Sequence, residues 1–303
     1  MPEKVTVEVE GRRLQLSNMG KVLYAEDGFT KGQVIDYYVR IAEVLLPHLA
    51  GRPLTVKRYP DGVDGKFFFE KNIPSHAPSW VRRVELPTPG STRQRETISY
   101  IVVEALPTLV WLANLAALEL HIPQWTVGPR GGVRGANLLV FDLDPGLPAT
   151  IVECARVATM VRDVLADDGL QGWPKTSGSK GMQVYVPLRE VDPERPWAYA
   201  KELAQKISAA APMQVVWQMT KALRPGKVLI DWSQNNAAKT TVAPYSLRAQ
   251  AKPTVSTPIT WDEVETCRAV ADLRFTASDV LARIEEYGDL AAPLLELRQP
   301  LPR

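Results

Sequence analysis

The chain has 303 residues, 45% hydrophobic and 23% charged, enough for one large globular domain or two closely joined modules. No apolar run reaches the roughly 18 residues of a membrane span. The N-terminal Met-Pro-Glu-Lys-Val-Thr has no signal-peptide core, and two isolated cysteines, Cys154 and Cys267, exclude a disulfide framework and a Cys-x-x-Cys zinc site. A reducing cytoplasm without membrane attachment is the expected setting. The net charge of +2 names no partner. Residues 259–303 hold nine acidic and five basic residues, leaving 31 basic against 25 acidic in the rest. That body is compatible with phosphate binding and equally with ordinary surface variation.

In chain order, residues 5–9 and 12–17, split by Glu10-Gly11, predict a hairpin. Residues 30–50 predict one helix, with Thr30 and Gln33 as a capping box, Val34, Tyr37, Tyr38, Ile41 and Leu45 on one face, and Pro47 and Gly51 at its end. Strands are predicted at 54–59, 66–71 and 98–103, with a polar, basic loop at 87–97. Pro107 opens a helix running to about residue 118. From there strands and helices alternate: strand 138–144, helix 149–170 with Cys154 as apolar packing, strand 182–188, helix 195–211, and strands 228–232 and 241–247. The Pro-rich residues 252–258 read as a linker into a helical tail, with Thr260 and Thr276 as candidate caps. Such alternation implies an α/β or α+β sheet covered by helices.

The most informative segment is Leu-Leu-Val-Phe-Asp-Leu-Asp-Pro-Gly, residues 138–146. Asp142 and Asp144 stand at i and i+2, so on a strand they share a face, while Leu143 points into the opposite layer. Pro145-Gly146 stops the strand and leaves both acids at its end. Two carboxylates on one face repel unless cations neutralise them, and Mg²⁺ or Mn²⁺ prefers oxygen ligands of this kind. A second apolar strand, Lys-Val-Leu-Ile-Asp, ends in Asp231. A third acid arriving there would complete a two-metal site for phosphoryl transfer. A short Asp-x-Asp alone is also an ordinary strand-end cap.

Two segments can handle phosphate. Lys-Thr-Ser-Gly-Ser-Lys-Gly, residues 175–181, combines glycines, hydroxyls and lysine, although its spacing is not that of a Walker loop and a plain turn fits it as well. Ala-Pro-Tyr-Ser-Leu-Arg-Ala, residues 243–249, offers Arg248 for bidentate phosphate contact or for an ordinary salt bridge.

These segments, in order, are similar to those of the polymerase domain of bacterial DNA ligase D, in the archaeo-eukaryotic primase superfamily. The likeness also runs through Leu-Ser-Asn-Met-Gly-Lys-Val-Leu-Tyr (16–24), Gly-Arg-Pro-Leu-Thr-Val-Lys-Arg-Tyr (51–59), Phe-Phe-Glu-Lys-Asn (68–72), Glu-Leu-His-Ile-Pro-Gln-Trp (119–125) and Ile-Asp-Trp-Ser-Gln-Asn (230–235), covering residue 12 to the end. It implies an α+β fold in which an RRM-like catalytic sheet joins an N-terminal α/β module across an active-site cleft. The whole of 1–303 would be one primase-polymerase domain: an N-terminal module 1–125 for DNA, a catalytic module 126–258, and a helical segment 259–303.

By position, the resemblance makes Asp142, Asp144 and Asp231 ligands of a Mn²⁺ or Mg²⁺ pair. Lys57, His121, Ser177, Lys180, Gln183, Gln234 and Arg248 would face the incoming nucleotide, with Ser177 near the sugar 2′-position and a preference for NTPs over dNTPs. Asn18, Lys21 and Lys31 would hold the 5′-phosphate of a downstream strand. Lys31 in a first helical turn is otherwise poorly placed electrostatically. Phe68 or Phe69 would stack near the templating base. Gln183 departs from the pattern, since family members usually carry His there; glutamine can donate a hydrogen bond but cannot become a cation.

The expected activity is template-dependent extension of 3′ ends on gapped or overhanging, 5′-phosphorylated DNA, with primer initiation as a further possibility. No ligase or nuclease segment is present in the sequence, so a stand-alone form of the actinobacterial kind or an excised fragment is expected, working in excision repair or end joining beside a separate DNA ligase and a Ku-type partner. The competing readings are an Asp-x-Asp nucleotide-sugar transferase, which would need no template, and a non-catalytic DNA-end-binding scaffold, which would need no clustered acids.

Overall fold

Two sheets meet face to face in the computed structural model, which describes residues 4–87 and 96–302. The chain opens with the hairpin β1 (Lys4–Val9) and β2 (Arg12–Ser17), turned by Glu10 and Gly11 at φ 46° and 73°. Leu14 and Leu16 are its buried face. A short pair, β3 (Val22–Tyr24) and β4 (Phe29–Thr30), leads into α1 (Lys31–Arg40). Thr30 and Gln33 form the expected capping box. The single helix predicted for 30–50 is two, because Ile41 (ψ −8°) turns the chain before α2 (Ala42–Leu49) while staying buried itself.

Next come β5 (Pro53–Arg58), β6 (Phe68–Glu70), β7 (Arg83–Pro87), β8 (Thr97–Val102), α3 (Leu106–Asn114) and β9 (Ala117–Ile122). Most of the loop predicted at 87–97 lies outside the described residues. The helix opened at Pro107 stops at Asn114, short of the predicted 118. Ala116 takes a left-handed φ of 57°, and its carbonyl accepts from the Tyr59 N–H, which starts β9 beside β5. The apolar run through that turn fits either periodicity.

The second half supplies β10 (Trp125–Val127), β11 (Val133–Pro145), α4 (Ile151–Asp167), β12 (Trp173–Thr176), β13 (Met182–Val191) and α5 (Glu194–Ala210). These are followed by β14 (Val215–Val216), β15 (Val228–Asp231), β16 (Thr241–Val242), α6 (Trp261–Thr266), α7 (Ala277–Tyr287) and α8 (Pro293–Glu296). One sheet runs β16-β9-β5-β8-β7, with β6 also on β5. The other runs β12-β13-β11-β15-β14, with β10 on β11. The strand predicted for 241–247 is broken: β16 pairs with β9, Tyr245 turns the chain at φ 64°, and Leu247 then makes an isolated bridge to Val255.

Alternation along β11 sorts its side chains between two cores. Leu139, Phe141 and Leu143 pack with Cys154, Val161 and Leu165 of α4. Leu138 and Val140 join Tyr185 in the core of the first sheet. Asp142 and Asp144 continue this even-numbered row, so the strand delivers them between the sheets.

Residues 252–258 are not a linker. Pro253 to Ile259 are buried, and this stretch lies along β12, with Thr176 N–H donating to Thr257 O and Ile259 N–H to Pro174 O. Proline removes donors but keeps carbonyls, so a Pro-rich segment can still pair as an acceptor. Thr260 caps α6 through the Glu263 N–H, and Thr276 precedes α7 with its own N–H on Asp279. Ala277 and Val280 pack on the first core, and Val264 and Leu273 on the second.

Candidate active site

The acid cluster is a consequence of strand register. β11 and β15 pair antiparallel with Asp142 directly opposite Asp231, and Asp144 lies two residues further along the same face. One ligand oxygen from each carboxylate lies within 4.8 Å of the others. Burial, then the charge of Asp144, pushes Asp142 well up from the usual carboxylate range. Burial and Asp231 push Asp144 up, against Arg224, Lys180 and Arg248. Three crowded carboxylates are unfavourable without cations, and an all-oxygen donor set suits hard divalent ions. The site therefore fits a metal centre, although nothing in it selects Mg²⁺ over Mn²⁺.

Two of the three acids are held by hydrogen bonds. Gln183 lies across from Asp142 on β13, and its Nε2 donates to Asp142 Oδ1 at 2.9 Å. Asp231 ends β15, where the chain enters a 3-10 turn (Trp232–Asn235). Its Oδ1 accepts from the Ser233 N–H at 3.1 Å, and its Oδ2 from Gln234 Nε2 at 2.8 Å. Gly181 passes so close behind that a Cβ there would meet Leu143 O at 2.0 Å, so glycine is required for the backbone to run beside the acids.

A cleft of about 250 Å³ opens from these acids toward cations and hydroxyls: Lys180, Arg248, Ser177 and Ser179 line it with His121, Gln183, Gln234 and Thr241. The loop between β12 and β13 is tied by Ser177, whose Oγ accepts the N–H groups of Ser179 and Gly181, both at 3.2 Å. Gly178, at φ 67°, leaves room for Arg248, which donates to Ser177 O.

Behind the cations sits Glu119, 2% exposed on β9. Its Oε1 lies 3.4 Å from Arg248 Nε and 3.9 Å from Lys57 Nζ, and its Oε2 is 3.0 Å from His121 Nε2. Burial alone would raise Glu119. The hydrogen bond from His121 and the charges of Arg248, His121 and Lys57 outweigh it and hold the carboxyl at about 2. Burial pushes the His121 imidazole below its usual value, against the pull of Glu119.

The β5–β6 pairing separates the two candidate aromatics. Phe69, opposite Lys57, turns its ring toward His121 (6.1 Å). Phe68, opposite Arg58, stacks on that guanidinium at 5.0 Å. Asn18, Lys21 and Lys31 come together around the β3–β4 pair. Lys21 N–H donates to Asn18 O and Lys31 N–H to Lys21 O. Lys21 Nζ pairs with Asp61 at 3.1 Å, whereas Lys31 Nζ, 6% exposed as a residue, reaches Ser17 Oγ at 3.4 Å. Burial, then Lys21, lowers Lys31 to about 8.

Sequence reasoning assigned no individual role to Glu119 or Thr241, and took Ser179 and Lys175 only as members of the phosphate-handling segment 175–181. Glu119 had the clearest signal, an acid two residues from His121 on an apolar strand. Lys175 is 2% exposed and donates to Ser256 Oγ, a partner from the segment read as a linker. Among the described residues no helix is long and apolar enough to cross a membrane.

Comparison with known proteins places this geometry. The chain is 47% identical over 285 residues to the multifunctional non-homologous end joining protein LigD of Mycolicibacterium smegmatis, covering 93% of this chain and 36% of that protein. It is 32% identical over 278 residues to the bifunctional LigD of Bacillus subtilis, covering 91% of this chain and 43% of that protein. The chain thus spans well under half the length of these relatives. The polymerase domain of Mycobacterium tuberculosis ligase D, solved in complex with DNA, superposes with a TM-score of 0.87 at 44% identity, covering 94% of this chain and 98% of that one. The mixed α/β fold is therefore that of the ligase D polymerase domain, and the family model for the LigD primase-polymerase domain matches residues 30–291: the chain belongs to that family.

Proposed function

We propose that this chain is a template-dependent nucleotidyltransferase that extends 3′ ends of DNA, filling short gaps and overhangs in end joining or excision repair. One observation carries the reading. The cleft is lined by both signs of charge: Asp142 and Asp144, which cluster with Asp231, and Lys180 and Arg248. A metal-bound nucleoside triphosphate needs both, and a DNA-end scaffold has no need of the clustered acids. Asp142, Asp144 and Asp231 would hold Mn²⁺ or Mg²⁺, which supplies activation of the primer hydroxyl and charge neutralisation at the reacting phosphate. Gln183, Ser233 and Gln234 keep the acid oxygens oriented for that task. Lys180 and Arg248 offset charge on the outer phosphates as pyrophosphate leaves, while Glu119 anchors Arg248, Lys57 and His121.

In this reading the second sheet, with its RRM-like role, performs the chemistry, and the first sheet presents DNA. Ser177 lies near the sugar and favours NTPs. Asn18, Lys21 and Lys31 take a terminal 5′-phosphate as a point-charge pocket beside the α1 N-terminus. Phe69, whose ring meets His121 of the cleft lining, is the better placed of the two phenylalanines to meet a templating base. The relatives' names, all end-joining proteins, support a repair setting with a ligase and a Ku-type partner supplied by other polypeptides or segments.

The test is primer extension on gapped DNA with each NTP and dNTP and with Mg²⁺ or Mn²⁺. Metal-dependent, template-directed addition is expected. Extension that ignores the template base would reject the polymerase reading, and transfer from a nucleotide sugar would replace it.

A further inference from the structure

Lys57 is surrounded by rings. Its Nζ lies 4.0 Å from the ring centroid of Phe67, 5.1 Å from Tyr59 and 5.7 Å from Phe69, with Glu119 Oε1 at 3.9 Å. Phe67 stands just before β6, two residues from Phe69 and hence toward the same side, and it is 51% exposed. Its ring leans on Tyr59 (5.4 Å) and meets Phe69 edge-on (6.2 Å, 86°). A large ring left half in water gains little from burial, so its position calls for another cause. The nearest charge to its face is the ammonium.

The geometry points to Phe67 as a positioning residue for Lys57. The inference rests on the reading that Lys57 contacts the incoming nucleotide. A lysine has a flexible four-carbon stem and loses rotamer freedom when its head is fixed. A second carboxylate could fix it but would compete with the nucleotide's phosphates for the charge. A ring attracts the cation through its quadrupole and leaves the full positive charge for an anion. Glu119 reaches Lys57 from the β9 side, and Phe67 closes the other side from the β6 edge. The ammonium is thereby held beside Phe69 and Glu119, both of which meet His121 of the cleft lining.

The test compares Phe67→Leu, which keeps apolar bulk without a ring, with Phe67→Tyr, each alone and combined with Lys57→Met. Nucleotide KM and kcat are measured at saturating gapped DNA. The Lys57 ε-methylene shift is followed by NMR in lysine-labelled protein. Phe67→Leu should raise nucleotide KM about two- to fivefold at unchanged kcat, the size of an exposed cation–π contact, and should cut the ring-current shift to the smaller part left by the more distant Tyr59 and Phe69 rings. Phe67→Tyr should preserve both. On the Lys57→Met background Phe67→Leu should add nothing. A Phe67→Leu effect that persists on that background would place Phe67 on the DNA and overturn the inference, as would an unchanged ε-methylene shift. A wild-type KM in Lys57→Met alone would instead overturn the assignment of Lys57 to the nucleotide, and the role of Phe67 with it, even where the shift reports the contact.

Discussion

The two sides of the cleft are built by different means. On the second sheet, Asp142 and Asp231 meet because β11 and β15 are hydrogen-bonded neighbours, and Gln183 meets Asp142 because β13 is the next strand. Backbone register alone places the acids and Gln183. On the first sheet, register brings Glu119 of β9 only to Lys57, opposite it on β5, with His121 two residues along the same strand; Arg248 comes from beyond β16, and side-chain charge holds it to the group. A register-built site should keep its geometry when one side chain is changed, losing function but not fold. A charge-built site should lose both together.

The largest expected effect is on the acids. Asp142→Asn or Asp231→Asn should lower extension by about a thousandfold or more, the scale of removing a group that stabilises charge in the reacting state, with DNA affinity and thermal midpoint unchanged or raised. Relief of carboxylate repulsion gives that sign. Calorimetry beside the extension assay checks it, and an unfolded Asp231→Asn variant would break the comparison.

Glu119→Gln should behave oppositely. It leaves Arg248, Lys57 and His121 facing one another across a buried neutral amide. About 3–5 kcal/mol of stability is expected to go, the usual cost of stripping one partner from a buried ionic group, together with a raised nucleotide KM. Because the Glu119 carboxyl is held at about 2 against an unfolded value near 4.5, its contribution is complete above that unfolded value and is lost as pH falls through the range between them. Thermal midpoints of wild type and variant should therefore converge toward pH 2, and a difference constant down to that pH would contradict the charge-built account.

The N-terminal cluster sharpens the contrast through a smaller effect. Lys31 is lowered to about 8 by burial and by Lys21. Its charge, and with it the preference for a 5′-phosphate over a 5′-hydroxyl in gapped DNA, should decline as pH rises through that value. In Lys31→Arg the preference should stay flat up to pH 9, since guanidinium does not titrate there. Binding titrations with both gapped substrates give the ratio, and equal slopes in the two proteins would remove Lys31 from the pocket. The smallest effect is at the sugar: Ser177→Ala should narrow the NTP over dNTP preference by about fivefold, one lost hydrogen bond, read from paired kcat/KM values.

The same contrast explains what could be read from the sequence. Period-two alternation sends Asp142 and Asp144 to one face, and an apolar strand ending in Asp231 supplies the third acid, so the acid cluster was legible. Ser177, Lys180 and Arg248 were legible as a glycine-rich turn and a lone arginine, and the fold brings them into one cleft. Glu119 was not assigned, because two of its three partners, Lys57 and Arg248, come from distant segments. The helix ends at Asn114 and Ile41 were misplaced because apolar side chains serve helix and strand alike, and the break is made by one residue's backbone angle. Residues 252–258 were misread because proline content says nothing about carbonyls that accept from a neighbouring strand.

The most direct test of the central claim measures metal-dependent binding and extension together in wild type and Asp231→Asn. Mn²⁺ titrated by calorimetry should bind wild type and raise its thermal midpoint by linkage, and template-directed extension should rise over the same concentrations. Asp231→Asn, folded, should show neither. Extension by Asp231→Asn within tenfold of wild type, about 1.4 kcal/mol of barrier, would contradict the assignment of the three aspartates to the chemistry.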